Sequence, residues 1–202
     1  MNISQKTMLR NLAAVFFISG FCALVYQVSW QRLLFTNFGV DLTSTTVIIS
    51  IFMAGLGVGA FFGGRLADMY PNKNLQLFCF IELLIGIFGL FSVQIISLIN
   101  EYTSNMNEAS IMLIIFVALL PPTFLMGSTL PLLTAFFNKR IKNIGQSIGI
   151  LYFTNTLGAA FGALLTGFVL FALFGLQGSI HIACALNVVI ATAIYLMYGI
   201  KK

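Results

Sequence analysis

LQLFCFIELLIGIFGLFSVQIISLI, residues 75–99, carries a single charged side chain, Glu82, in an otherwise apolar run. A bilayer-spanning helix needs about 20 predominantly apolar residues, so this stretch is long enough to cross a membrane as one helix. Runs of the same kind recur on both sides of it. They lie near 12–35, 43–64, 111–137, 144–174 and 180–200. The pattern predicts an all-α, polytopic membrane protein of six transmembrane helices forming one domain over 1–202, with no separate soluble domain. The first run has a basic start at Lys6 and Arg10 but continues through Tyr26, Trp30 and Arg32 without a small-residue cleavage site. It is read as a retained span rather than a signal peptide.

Composition gives the same answer. Of 202 residues, 59 % are hydrophobic and 7 % charged, with a mean hydropathy of +1.02. Soluble domains carry about 25 % charged residues, and so few charges cannot cover the surface of a water-soluble globule. Lipid is the natural solvent for this surface.

The formal net charge is +5, but its distribution does not suggest nucleic acid. Lys6 and Arg10, then Arg65 and Lys73, then Lys139, Arg140 and Lys142, then Lys201 and Lys202 fall on alternate connections. The intervening connections carry Asp41, Glu101 and Glu108 and no basic residue; Arg32 is the exception, near the far end of the first run. Basic loops stay cytoplasmic. Both termini are therefore expected inside, as for a multi-pass protein of the bacterial inner membrane. The bilayer is the expected surroundings, and no nucleic-acid partner is expected.

Small residues mark helix contacts. Gly55, Gly59 and Gly63 recur every four residues on the second run, and Gly158 and Gly162 do so on the fifth. This spacing lets two helix backbones approach closely within lipid. The second and fifth runs are the middle members of two three-span sets with opposite orientation, the arrangement of a 3+3 inverted repeat. Pro121, Pro122 and Pro131 in the fourth run each remove a backbone donor. They predict a bent helix, either a packing kink or a gate, with Gly127, Ser128 and Thr129 placed to satisfy the freed carbonyls.

Few side chains carry chemistry. Glu82 is an intramembrane carboxylate, read either as an ion or proton coupling site or as a structural partner of a base such as Arg65. Tyr26, Gln27, Trp30 and Arg32 on the first run, with Asn155 and Thr156 on the fifth, form a candidate solute-facing set; an interfacial aromatic belt with a snorkelling arginine is the alternative for the first run. Aromatic faces attract amines, whereas Arg32 repels a polycation unless Asp41 neutralises it. Cys22, Cys79 and Cys184 lie within runs and contain no CxxC, so they are read as packing residues. His181 lacks neighbouring ligands. No catalytic residue, metal site or cofactor is expected.

Three segments carry a family resemblance: 17–32 (FISGFCALVYQVSWQR), 122–133 (PTFLMGSTLPLL) and 148–167 (IGILYFTNTLGAAFGALLTG). Together they resemble the membrane region of the fused major-facilitator/spermidine-synthase-like family. Gly64-Arg65-Leu66-Ala67-Asp68 resembles the cytoplasmic loop motif of major facilitator transporters, with Met69 where a basic residue is usual. Gln27 stands where the family has an acidic residue. The resemblance implies a half-size major-facilitator-like bundle in which Gly64, Arg65 and Asp68 act as a cytoplasmic latch. It implies movement of a small solute, with a polyamine as the candidate, by a homodimer or with a second membrane or synthase-like subunit. The alternative is a non-transporting membrane anchor or accessory subunit for a separate aminopropyltransferase. No glycine motif for an aminopropyl donor occurs in 1–202, so no synthase activity is expected of this sequence itself.

Overall fold

A computed structural model describes residues 3–39, 41–103, 105–141 and 144–199. Lys142, Ile200, Lys201 and Lys202, named above, lie outside the described residues, as do the side chains of Lys6, Asp41 and Arg140. The described residues are all helical apart from short turns. The elements are α1 (Ile3–Phe38), α2 (Asp41–Met69), α3 (Asn74–Thr103), α4 (Glu108–Ile141), α5 (Ile144–Leu165) and α6 (Phe171–Ile194), with π-helical turns at Thr166–Leu170 and Tyr195–Gly199. Several helices outrun their apolar cores. α2 stays helical to Met69, so Arg65 and Asp68 sit in its last turns and not in a loop.

Five helical stretches are long and apolar enough to cross a membrane, the last of them running from Ile148 to Tyr198. That stretch is broken at one residue, Gly175, with φ 66° and ψ −176°. This conformation is open essentially only to glycine. Gly39 also has a positive φ, 74°, where α1 ends, and its N–H bonds the Phe35 carbonyl at 2.8 Å. Asn107 caps α4 through a 2.9 Å bond from the Ser110 N–H, and Glu108 adds a favourable charge to that N-terminus.

Several contacts gather at one end of the bundle. Asn11 Nδ2 donates to the Tyr198 hydroxyl at 3.1 Å, and the Phe136 and Tyr198 rings meet at 6.4 Å. Lys139 Nζ donates to the Pro71 carbonyl at 2.7 Å and to Asn72 Oδ1 at 3.2 Å. The start of α1, the α2–α3 turn, the end of α4 and the end of the chain's last helix therefore share an end. At the other end Asn100 Nδ2 donates to Asn37 Oδ1 at 3.3 Å, and Gln31 Nε2 to Thr45 Oγ1 at 2.8 Å.

The most extensive helix contacts pair α2 with α4 and α1 with α5; α3 touches α6 and α4, and α6 also touches α1. The glycine rows make the first two pairs. A Cβ on Gly55, Gly59 or Gly63 would meet Thr123, the Phe124 backbone or Ser128 of α4. A Cβ on Gly158 or Gly162 would meet the Phe17 or Phe21 backbone of α1. Exchanging α1 with α4, α2 with α5 and α3 with α6 maps these helix contacts onto one another. The contact between α1 and α3 stands out because α4 and α6 make none as extensive.

α4 is helical through Pro121, Pro122 and Pro131, so the expected bend does not interrupt it. The hydroxyls nearby bond carbonyls one turn back, Thr123 to Leu119 and Leu120, Ser128 to Leu125, and Thr129 to Met126, and not the carbonyls of Val117, Ala118 and Gly127 that the prolines free. Gly127 instead supplies close approach, lying against the Leu56 backbone.

Candidate functional site: a polar seam between α1, α3 and α6

The unmatched α1–α3 contact holds the buried carboxyl, Glu82, and the buried Ser92. Ser19 Oγ on α1 donates to Glu82 Oε1 on α3 at 2.7 Å. Glu82 is buried and, among the described residues, is joined to no basic side chain. Its structural partner is thus Ser19 and not Arg65. One turn or two further along α1, the Tyr26 hydroxyl reaches Cys184 Sγ of α6 at 3.5 Å, a weak bond, and Gly89 of α3 leaves room for the Tyr26 ring. The Tyr26 and Trp30 rings stack at 5.3 Å. Trp30 Nε1 donates to Ser92 Oγ at 2.9 Å, and Ser92 in turn donates to the Gly89 carbonyl at 2.7 Å. Asn187 of α6 is buried beside Gly86, and its Oδ1 lacks a hydrogen-bond partner.

This geometry divides the candidate solute-facing set. Tyr26 and Trp30 are fully enclosed by protein, so neither reaches an open surface nor forms an interfacial belt. Their shared helix face looks into the seam. Gln27 is half-buried and Thr156 exposed, while Asn155 is half-buried where Gly20 of α1 packs against it. Arg32 is exposed, 5.3 Å from the Phe35 ring centroid, and lines a cleft of about 140 Å³ with Val28, Gln31 and Phe171. Ser19, Ser92 and Asn187 were not singled out by sequence. Ser19 does carry a signal, because it lies seven residues before Tyr26 on the same helix face.

The expected latch residues also separate. Arg65 stacks over the Phe61 ring at 4.3 Å, and no ion pair joins it to Asp68 among the described residues. Asp68 instead lines a cleft of about 340 Å³ with Gly64, Pro131, Thr134 and Asn138. Cys22, Cys79 and Cys184 are free and buried, His181 is exposed, and no group of three potential metal ligands occurs among the described residues.

Chemically, the seam offers one carboxyl group in an apolar interior with, among the described residues, a single hydroxyl donor. An ionised carboxylate has about four acceptor sites, and a protonated one gains a donor. Binding or release of one proton therefore changes both the buried charge and the hydrogen-bond pattern between α1 and α3.

Long apolar helices, glycine-mediated backbone contacts and a carboxyl buried between helices define a multi-pass helical membrane protein. The Major Facilitator Superfamily profile matches residues 12–201, and the chain belongs to that superfamily. That superfamily points to membrane transport. The chain is also 23 % identical over 197 residues to a polyamine aminopropyltransferase of Oceanobacillus iheyensis, covering 94 % of this chain and 36 % of that protein. The chain thus spans about a third of the relative's length. No solved structure matches it.

Proposed function

We propose that this chain is a six-crossing unit of a solute carrier that works against a second six-helix bundle, supplied by another copy or by a partner subunit. Superfamily membership over residues 12–201 carries the reading. The sixth crossing is argued from the Ile148–Tyr198 stretch. At about 1.5 Å per residue it is more than twice as long as the roughly 30 Å hydrocarbon layer. It breaks at Gly175, and Tyr198 returns to Asn11 at the end where α4 finishes. The exchange symmetry of the helix contacts supports the 3+3 inverted repeat. Lys73 and Lys139 share an end, which supports cytoplasmic placement of that end and of both termini in the bacterial inner membrane.

Carriers of this architecture rock paired bundles about a central site, and one bundle supplies one wall of it. Glu82 is the ion-coupling group, because protonation alters the α1–α3 contact. Gln27, Arg32, Asn155 and Thr156 are the solute-facing groups, Arg65 and Asp68 the latch towards the second bundle, and the proline-bearing part of α4 the gate. The name of the Oceanobacillus relative favours a polyamine as the solute. Spermidine uptake into proteoliposomes containing the purified chain tests the reading. Uptake driven by a pH gradient and lost with Glu82→Gln is expected. No uptake above protein-free vesicles overturns the carrier, and unchanged pH-driven flux in Glu82→Gln removes Glu82 from it.

The same relative favours a second reading, a membrane anchor for an aminopropyltransferase, since its name is that of an enzyme and this chain matches only 36 % of it. Purification in mild detergent discriminates. A stoichiometric soluble partner without uptake supports the anchor.

A further inference from the structure

Between α2, α3 and α4, towards the end where Lys73 and Lys139 meet, a groove of about 530 Å³ opens on the protein surface. Its walls are the side chains of Phe62, Leu66, Leu77, Phe80, Leu84 and Phe124. Two polar side chains, Ser128 and Arg65, line it as well. The Ser128 hydroxyl is committed to the Leu125 carbonyl at 2.7 Å. Arg65 is therefore the charge of the groove, held over the Phe61 ring at 4.3 Å and beside the Phe62 ring at 5.9 Å. Stacking restrains a guanidinium while leaving its N–H donors for a bidentate oxyanion. Asp68 lines the neighbouring cleft and not this groove.

We propose that the groove is a binding site for an anionic phospholipid, with an acyl chain along the apolar walls and the headgroup phosphate on Arg65. The volume falls within the range of about 300–1,000 Å³ of pockets that enclose small molecules. The walls face the hydrocarbon of a multi-pass protein, so the occupant that reaches them is a lipid tail. Charge selects among lipids. Lys73 lies in the adjoining turn, and Lys139, bonded to Pro71 and Asn72 of that turn, adds a second ammonium at this end. Three cations favour a headgroup with net negative charge over a zwitterionic one, whose own ammonium they repel. The site does not depend on what the bundle carries, and a lipid phosphate on Arg65 competes with the latch role of that residue towards a second bundle.

Native mass spectrometry of the detergent-solubilised chain, titrated with phosphatidylglycerol and phosphatidylcholine of identical tails, tests the assignment. Wild type is expected to prefer phosphatidylglycerol by about fivefold, the factor for one basic residue at an anionic surface. Arg65→Gln should lower the preference to what Lys73 and Lys139 supply, and Arg65→Lys should retain more of it. Leu84→Trp, which fills the groove away from Arg65, should weaken both lipids. Equal binding of the two lipids by wild type, or a preference unchanged by Arg65→Gln, overturns the proposal. So does displacement of phosphatidylglycerol by inorganic phosphate, which assigns the guanidinium to a free anion. Should Arg65→Gln fail to fold, the wild-type comparison, the phosphate competition and Arg65→Lys still decide.

Discussion

Ser19 and Glu82 join α1 to α3 through a 2.7 Å hydrogen bond inside the bundle. No second donor to Glu82 is found among the described residues, so the pair should behave as a unit. Ser19→Ala leaves a buried carboxyl without its donor, which costs about 1–3 kcal/mol. Glu82→Gln keeps an acceptor for Ser19 and should cost less. In a Glu82→Leu background Ser19→Ala should cost little, because the group it satisfied is gone. Thermal unfolding of the two singles and the double in detergent measures the coupling; additive effects would show that the bond contributes nothing.

Trp30 is the single tryptophan of the chain and is fully buried, with Nε1 bonded to Ser92 Oγ at 2.9 Å. Its emission should be blue-shifted and resist both iodide and brominated lipids, since protein encloses the ring on every side. Trp30→Phe should destabilise more than Tyr26→Phe. The former forfeits a well-formed bond worth about 0.5–1.5 kcal/mol along with ring contacts, whereas the Tyr26 hydroxyl has only Cys184 Sγ at 3.5 Å. Strong quenching by brominated lipid would instead place Trp30 at the lipid face.

The glycines divide by what surrounds them. Gly158→Ala drives a methyl into the Phe17 backbone and Gly59→Ala into the Phe124 backbone, while Gly57→Ala meets nothing within 4 Å. Overpacking typically costs about 1–3 kcal/mol, and helix–helix contact in lipid depends on such close approach. Both interface variants should lower the apparent unfolding temperature by several degrees. Gly57→Ala should fall within about 0.5 kcal/mol of wild type, like other changes away from packed contacts.

These comparisons show what was legible in the sequence. Gly55, Gly59, Gly63, Gly158 and Gly162 could be read as contact residues because a four-residue spacing of small side chains has one use in lipid. Their partners, α4 and α1, could not be read, since that depends on how the helices assemble. Tyr26 and Trp30, four residues apart, share one helix face in sequence, and in the structure that face looks inward. In water the apolar face of a helix must point to the core. In a bilayer the exterior is as apolar as the interior, so hydrophobic periodicity loses its direction. Ser19, Ser92 and Asn187 escaped notice for the same reason: short polar side chains are common along such helices, and only the packed partner distinguishes a seam from a surface.

Gly175 is where the long Ile148–Tyr198 stretch turns, at φ 66° and ψ −176°. Residues forced into that region pay about 1–3 kcal/mol. Nothing lies within 4 Å of a Cβ there, so the penalty of Gly175→Ala is one of backbone conformation alone. Gly167→Ala, equally open and without a positive φ, although inside the π-helical turn Thr166–Leu170, is the control. Gly175→Ala should lower the unfolding temperature and Gly167→Ala should not; equal effects would indicate that the chain passes 175 as regular helix.

The turn at Gly175 has a consequence for the topology of the whole chain. With two crossings after α4, His181 lies beyond the turn at the end opposite Lys139, and Tyr198 returns to the Lys139 end. With one crossing, Tyr198 and Lys139 would lie on opposite faces of the membrane. Cys22, Cys79 and Cys184 are buried and free, so they can be replaced by alanine and single reporters introduced at exposed positions. In inside-out vesicles an impermeant maleimide should label Lys73→Cys, Lys139→Cys and Leu196→Cys. It should spare Tyr102→Cys and His181→Cys, which should react from outside in right-side-out vesicles. Outward labelling of Leu196→Cys would reduce the count to five crossings and separate the termini. Labelling of Lys73→Cys and Lys139→Cys from opposite faces would be incompatible with the Lys139 bonds to Pro71 and Asn72, and with the packing of α2 on α4 that those bonds accompany.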